Sequence, residues 1–360
     1  MEKRILMKGN EAIAEAAIRA GCRFYAGYPI TPQNDIPEYL SRRMPQVGGV
    51  FLQGESEVAS ANMLYGAAAS GTRSMTTSAS CGMSLMSEAI SWMALSRLPA
   101  VISNVQRGGP GIGSIQPSQQ DYTQATKAHG NGGFQMLVLA PSSLQEAAEM
   151  TYEAFDLAEK YSFPVMIMMD GFSGSMMEPV TMMEAKSEEE VAAIKASKDW
   201  VPRGNDGTFM NRIGGRGRGR GSTLEERNLE DANMYEEWKR TEVKWEEYQM
   251  EDAEMVISGY GIAARIAKSV VSKMRKEGYK VGLIRPIRIN PFPAQAYEKL
   301  DLPNLRGILC TELSIPAQFA VDVRNTVHGR TRIETALSSG GNIITADAIY
   351  EAACKLYGDK

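Results

Sequence analysis

The sequence predicts an α/β protein: a doubly wound, mostly parallel sheet domain followed by a second α/β domain. Three observations carry that expectation. Short apolar, strand-like runs alternate with helix-period segments through the first half of the chain. After about Glu178 the composition turns strongly charged, and strand–helix alternation resumes near Glu254. At 360 residues the chain is long enough for two units, each with its own core.

The elements follow in order. Asn10 opens a helix to about Ala20, with Ile13, Ala16, Ala17 and Ala20 on one face and Gly21 as its stop. Arg23–Ala26 is a short strand that runs into Gly27-Tyr28-Pro29-Ile30-Thr31-Pro32. The two prolines fix φ there and push their neighbours towards extended geometry, so the Thr31 side chain is aimed. Val50-Phe51-Leu52 reads as a buried strand, which puts Gln53-Gly54-Glu55-Ser56-Glu57 at its carboxyl end, where open α/β sheets bind ligands. An alanine-rich helix (Val58–Ala69), a strand (Ser74–Ser78) and a turn (Ala79–Gly82) lead into a helix over Met83–Leu95. The strand Ala100–Val105 feeds a glycine-rich loop beginning at Arg107. After the strand Met136–Leu139, Ser143 and Glu146 have the spacing of a capping box. Leu144, Ala147, Ala148, Thr151, Phe155 and Ala158 line one face of the helix that follows, and Pro164–Asp170 is the last strand of the series.

Residues 184–252 read as a charged connector between units 1–183 and 253–360. It carries an amphipathic helix over Leu224–Met250 with Trp238, Trp245 and Tyr248 for docking, and the Gly/Arg run Gly214–Gly221. Strands at Glu254–Ser258, Val281–Ile284 and Gly307–Cys310 alternate with helices at Gly261–Lys276, Ile315–Val327 and from about Asp347.

Composition narrows the function. A net charge of −4 gives no reason to expect nucleic acid or an acidic membrane as partner. No apolar run is long enough to span a bilayer, and the start Met1-Glu2-Lys3-Arg4-Ile5 lacks a signal-peptide pattern, so a cytoplasmic protein is expected. Cys22, Cys81, Cys310 and Cys354 are too widely spaced for the usual zinc or iron–sulfur motifs. His129 and His328 are isolated, and a structural role is expected for both.

Several groups are candidates for chemistry, each beside a plainer alternative. Glu57 could be a buried acid–base carboxylate or merely a helix-N-terminal one that suits the dipole; Glu55 is its rival. Thr31 could be a ligand hydroxyl or an ordinary turn hydroxyl. Arg107, followed by Gly108-Gly109-Pro110-Gly111-Ile112-Gly113, could bind a carboxylate with its guanidinium fork or be a solvated loop arginine. That glycine string lacks the spacing of a dinucleotide fingerprint. Cys81 opens a helix but reads best as a small buried residue. Ser258-Gly259-Tyr260-Gly261 is either an anion seat or a tight turn, and the turn is expected. The Arg-Gly run is read as a loop rather than an RNA-binding segment.

Taken together, Gly27–Pro32, Gln53–Glu57 and Val105–Gly111 resemble the alpha (pyrimidine-binding) subunit of thiamine-diphosphate-dependent 2-oxoacid:ferredoxin oxidoreductases, over nearly the whole chain. The resemblance implies a thiamine-diphosphate-binding, pyrimidine-type parallel-sheet domain followed by a transketolase C-terminal-like α/β domain. It implies that Glu57, spaced from Gly66 as in the family, hydrogen-bonds the aminopyrimidine. Tyr28, Pro29 and Ile30 would border the cofactor, while Thr31 and Arg107 hold the 2-oxoacid carboxylate. The chain lacks the Gly-Asp-Gly…Asn pattern for magnesium and the diphosphate tail. A beta subunit would therefore supply that half of the site, and gamma and delta subunits or their equivalents would carry iron–sulfur clusters. Coenzyme A and ferredoxin would be the remaining reactants. The run Gly111–Tyr122 is most similar to the branched-chain (2-oxoisovalerate) subfamily; 2-oxoglutarate is the alternative, and a non-catalytic RNA-associated or assembly protein a remote one.

Overall fold

A computed structural model of the chain describes residues 4–202, 204, 212–215 and 222–358. The strands of the first half are β1 (Arg4–Lys8), β2 (Phe24–Gly27), β3 (Val50–Gln53), β4 (Ser74–Ser78), β5 (Ala100–Gln106), β6 (Leu137–Leu139), β7 (Pro164–Asp170) and β8 (Met177–Thr181). Those of the second half are β9 (Trp245–Tyr248), β10 (Met255–Gly259), β11 (Val281–Pro286), β12 (Arg288–Asn290), β13 (Ile308–Glu312) and β14 (Ile333–Leu337). The larger sheet has the order β12-β6-β7-β5-β4-β2-β3 and the smaller β14-β13-β10-β11-β9, while β1 and β8 form an antiparallel ribbon. In the larger sheet β2 to β7 run parallel and only β12 is antiparallel.

Strands β3 and β4 flank β2 on opposite sides, so the winding reverses there. The crevice outside the carboxyl ends of β2 and β4 is therefore the place where such a sheet takes a ligand. Helices form where the apolar spacing requires them. The first runs Gly9–Arg19 with Ile13, Ala16 and Ala17 fully buried, and Gly21 at φ +87° turns the chain out of it. The alanine-rich helix is Glu57–Ala69, and its partner Cys81–Ser96 packs beside it.

Three local expectations change. β3 is an edge strand, not a buried one: Val50 is 47% and Leu52 41% exposed. Three apolar residues in a row do not reveal whether a strand has one neighbour or two. Ser143 caps the helix Leu144–Tyr161 by accepting from the Glu146 N–H at 3.2 Å, but the box is not reciprocal. The Glu146 carboxylate instead accepts from the Ser142 N–H and from Arg285 of the second half. In the charged segment the helix stops at Thr241, and Trp245–Tyr248 becomes the antiparallel edge strand β9 of the smaller sheet. Its Tyr235 and Trp238 rings pack on Tyr161 and Phe163 of the first half. Of the Gly/Arg run, Gly214 and Gly215 are described; the rest lies outside the described residues.

The two sheets are tied together beneath the loop that starts at Arg107. Gln119 donates to the Tyr260 carbonyl at 2.9 Å and accepts from the Leu313 N–H at 2.9 Å. Tyr122 packs against Tyr260 and Phe319 and donates its hydroxyl to Asp322 at 2.6 Å. The second unit thus anchors a loop whose business lies at the edge of the first. Among the described residues no helix is long and apolar enough to cross a membrane.

Candidate active site

The crevice is assembled from four strand ends, those of β2, β3, β4 and β5. After β2, the turn Tyr28–Gln33 is held from below by a chain of hydroxyls and an amide. Tyr25 OH lies 2.7 Å from Thr77 Oγ1, Thr77 donates to Gln33 Oε1 at 2.5 Å, and Gln33 Nε2 donates to the Tyr28 carbonyl at 3.2 Å. Gln33 is fully buried, whereas Tyr28 stands 37% exposed at the rim. Pro29 is exposed and Ile30 half-buried beside it.

After β3, Ser56 caps the helix that begins at Glu57 by accepting from the Ala59 N–H at 3.2 Å. The turn separates the two rival carboxylates. Glu55 is exposed, while Glu57 is only 6% exposed. Among the described residues no hydrogen bond or ion pair reaches the Glu57 carboxylate. Its neighbour Ser78 Oγ, at the end of β4, is likewise buried without a partner. A Cβ on Gly82 would lie 2.6 Å from Glu57 Oε1 and 2.1 Å from Ser78 Oγ, so the glycine leaves room for both. Buried carboxylates and hydroxyls without protein partners are costly, and two side by side at a strand-end crevice suit a polar ligand.

Arg107 follows β5. Its side chain is 7% exposed, donates Nη1–H to the Thr31 carbonyl at 2.9 Å and Nη2–H towards Cys81 Sγ at 3.2 Å, and leaves Nε without a partner. Among the described residues it has no carboxylate counter-ion. A buried, unneutralised guanidinium has the charge and geometry to take an anionic ligand. The Thr31 hydroxyl accepts only a long bond from Asn34, at 3.4 Å. Arg107 thus contacts both the Thr31 carbonyl and the Cys81 thiol, and Gly82, next to Cys81, abuts Glu57. The structure brings together three of the residues singled out from the sequence. Tyr28 and Pro29 stand at the lip, and no hydrogen bond joins the Tyr28 side chain to Glu57 or Arg107 among the described residues.

Sequence reading missed the support behind Arg107. Ser80 sits at φ +29° and ψ −86°, a conformation that only a specific tertiary setting maintains. Its N–H donates to Asn104 Oδ1 at 3.1 Å, and Asn104 Nδ2 donates to Asp121 Oδ2 at 2.9 Å. Ser80 Oγ touches Asp121 and both backbone polar groups of Arg107. Only the polar character of these positions was visible in advance; the strained φ was not.

Asp170, at the end of β7, turns its carboxylate onto the N–H groups of Phe172 and Ser173. Burial lowers the His129 pKa to about 4, which keeps the ring neutral, and His328 is the left-handed C-cap of the helix Phe319–Val327. At Ser258–Gly261, Ser258 Oγ is bonded to the Ile284 carbonyl, and a Cβ on Gly261 would meet Gln119 at 3.1 Å. This is a tight turn packed against Gln119.

Comparison with known proteins supplies the family. Residues 15–246 match the thiamine-diphosphate-binding region of pyruvate flavodoxin/ferredoxin oxidoreductases, and residues 253–349 match core domain II of pyruvate:ferredoxin oxidoreductase. The chain belongs to this oxidoreductase family. It is an alpha-type chain of a 2-oxoacid:ferredoxin oxidoreductase, with the thiamine-diphosphate-binding α/β domain and the second α/β domain that the sequence predicted. The ketoisovalerate oxidoreductase subunit VorB of Methanothermobacter thermautotrophicus is 41% identical over 98% of both chains. The 2-oxoglutarate synthase subunit KorA of Methanocaldococcus jannaschii is 35% identical over 82% of this chain and 85% of its own. In fold, the chain is similar to the 2-oxoglutarate:ferredoxin oxidoreductase of Magnetococcus marinus, with a TM-score of 0.81 at 22% identity. That alignment takes in 99% of this chain and 66% of the other.

Proposed function

We propose that this chain is the pyrimidine-binding subunit of an oxidoreductase that converts a branched-chain 2-oxoacid and coenzyme A to acyl-CoA and CO2, passing the electrons to ferredoxin. The observation that carries the reading is the pairing, in one strand-end crevice, of a buried carboxylate without a hydrogen-bond partner and a buried guanidinium without a carboxylate counter-ion among the described residues. The identity to a ketoisovalerate oxidoreductase subunit supports the substrate class.

Thiamine diphosphate, when bound, would supply the nucleophile and electron sink that decarboxylation of a 2-oxoacid needs. Glu57 would hold a proton at N1′ of the aminopyrimidine, and burial suits it to that task because a dry carboxyl shares a proton readily. Ser78 Oγ, beside it, is a second polar group free to face the ring. Arg107 would take the substrate carboxylate, with the Thr31 hydroxyl alongside. Tyr28, Pro29 and Ile30 form the lip over which the cofactor ring enters. Nothing in this chain matches the sequence pattern for the diphosphate and its magnesium ion. A beta subunit would bring these, and further subunits the iron–sulfur clusters, so the complete site would lie at a subunit interface in a cytoplasmic complex.

The test is Glu57→Gln in the assembled complex. Turnover should fall about 100-fold or more, as loss of acid–base help does, while assembly and folding stay normal. Near-normal turnover, or a larger loss with Glu55→Gln, would assign the role elsewhere.

A further inference from the structure

The hydroxyl of Ser80 has more claims on it than its single proton can meet. A serine hydroxyl offers one O–H and two lone pairs. Around Ser80 Oγ stand the Arg107 N–H at 3.0 Å, the Arg107 carbonyl at 2.9 Å and Asp121 Oδ2 at 2.6 Å. The N–H donates to the hydroxyl, and the carbonyl can only accept. An ionised Asp121 would compete with that carbonyl for the one serine proton, leaving one close oxygen pair with no hydrogen between. A protonated Asp121 removes the conflict. Its O–H donates to Ser80 Oγ, the serine proton goes to the Arg107 carbonyl, and Asn104 Nδ2 still donates to the carboxyl at 2.9 Å.

Resting on the reading of Arg107 given above, we propose that Asp121 is a positioning residue that works as the neutral acid, locking the Arg107 backbone through Ser80 while leaving the guanidinium charge free for the substrate carboxylate. The surroundings favour the protonated form. Burial pushes the Asp121 carboxyl up, against the opposing hydrogen bonds from Ser80 and Asn104. Among the described residues no cation lies at ion-pair distance from it. Lys127, on the following helix, pairs with Asp322 at 3.0 Å. The elements packed around Asp121 present Ser80 and Cys81 after β4, Asn104 on β5 and Tyr260 after β10. Burial keeps Tyr260 protonated, and the acids that bear on it, Glu312 and Asp170, are themselves pushed up by burial. Arg107, whose backbone Ser80 holds, points its Nη atoms at Thr31 and Cys81 instead.

Asparagine separates the two protonation states, because its amide can donate to Ser80 as a carboxylic acid does and a carboxylate cannot. The decisive measurement is hydrogen exchange of the loop amides that close over Arg107, among them Gly108 N–H to the Gln116 carbonyl and Ser114 N–H to the Gly108 carbonyl. It is made on the full-length chain at one pH. Wild type and Asp121→Asn should exchange alike, and Asp121→Ala should exchange about tenfold faster or more, the effect of losing one buried hydrogen bond. In the assembled enzyme Asp121→Ala should raise KM for the 2-oxoacid about tenfold with a smaller change in kcat, and Asp121→Asn should restore it. In wild type the loop protection should fall as pH rises through the Asp121 titration, and in Asp121→Asn it should stay flat. Exchange in Asp121→Asn as fast as in Asp121→Ala would show that the carboxylate is what the site needs and would overturn the proposal, as would unchanged exchange in Asp121→Ala. If substitution of Arg107 left KM unaltered, the substrate-site reading would fail, and the exchange result would still decide the role of Asp121.

Discussion

A methyl group at position 82 would sit 2.6 Å from Glu57 Oε1 and 2.1 Å from Ser78 Oγ. Gly82→Ala must therefore displace the carboxylate, the serine or the helix start. Overpacking of this kind costs roughly 1–3 kcal/mol, and the group that yields most readily is the unpartnered Glu57 side chain. The substitution should lower Tm modestly and cut turnover of the assembled enzyme about tenfold or more, since a carboxylate moved by an ångström loses its alignment. Wild-type turnover with a lowered Tm would mean that Glu57 does not act from this position. Arg107 should behave in the opposite way. A buried charge without a counter-ion costs stability that function compensates. Arg107→Met should therefore leave the Tm of the chain unchanged or raised. It should reduce kcat/KM by about 10- to 100-fold, because a charge-assisted hydrogen bond in a dry site is worth roughly 1.5–3 kcal/mol. The loss should be similar for every 2-oxoacid, all of which share the carboxylate; a loss confined to one substrate would place Arg107 against the variable end instead.

Among the elements, the helix Leu144–Tyr161 and strand β11 are coupled by a charge cluster. Arg285, 3% exposed, donates to Glu146 at 2.7 and 2.9 Å and to Glu246 at 2.8 Å. Burial alone would raise the Glu146 pKa, but the Arg285 hydrogen bonds and charge, with those from Ser142, hold it below the usual carboxylate range. A carboxyl lowered in the folded state contributes stability at pH above its unfolded value, about 4.3. That contribution is lost as pH falls through the lower, folded value. Glu146→Gln should thus destabilise the chain near neutral pH and flatten the acid limb of its stability profile below about pH 4. Thermal scans across that range make the check, and parallel acid limbs would rule the coupling out. The cluster also shows where sequence reading stopped. Ser143 and Glu146 have capping-box spacing, yet Arg285, far along the chain, captures the glutamate. Long, periodic segments such as Gly261–Lys276 were legible to the residue, because their apolar spacing is local. β9 and β12 were not, since strands of four and three residues are defined by partners distant in sequence. The same division holds in the site: Thr31, Glu57 and Arg107 lie in conspicuous local patterns, whereas Ser80, Asn104 and Asp121 meet only through the fold.

At the scale of the whole molecule, the proposed function gives the chain half of a site and poses a specificity problem. Isolated chain should bind thiamine diphosphate weakly and show no oxidoreductase activity; tight, magnesium-dependent binding in calorimetry would refute the divided site. Substrate choice would then depend on what lies beyond Arg107, the proposed carboxylate clamp. The loop Gly108–Gln120 contains no lysine or arginine, and it carries Ile112, 83% exposed, and Ile115, 57% exposed. These apolar side chains stand on the same loop as the guanidinium, where the variable end of a 2-oxoacid would lie. A distal carboxylate placed there would lose its water without gaining a cation, a penalty larger than any methylene can confer. An apolar pocket, by contrast, separates substrates that differ by one methylene by only about 1–3 kcal/mol. The assembled enzyme should therefore prefer 2-oxoisovalerate, accept pyruvate and other unbranched acids about 10- to 200-fold less well, and reject 2-oxoglutarate most strongly. Anaerobic assays with a ferredoxin or viologen acceptor and the three acids at matched concentration decide the matter. A preference for 2-oxoglutarate would require a cation from a partner subunit facing this loop. It would overturn the branched-chain assignment and leave the carboxylate-binding role of Arg107 intact.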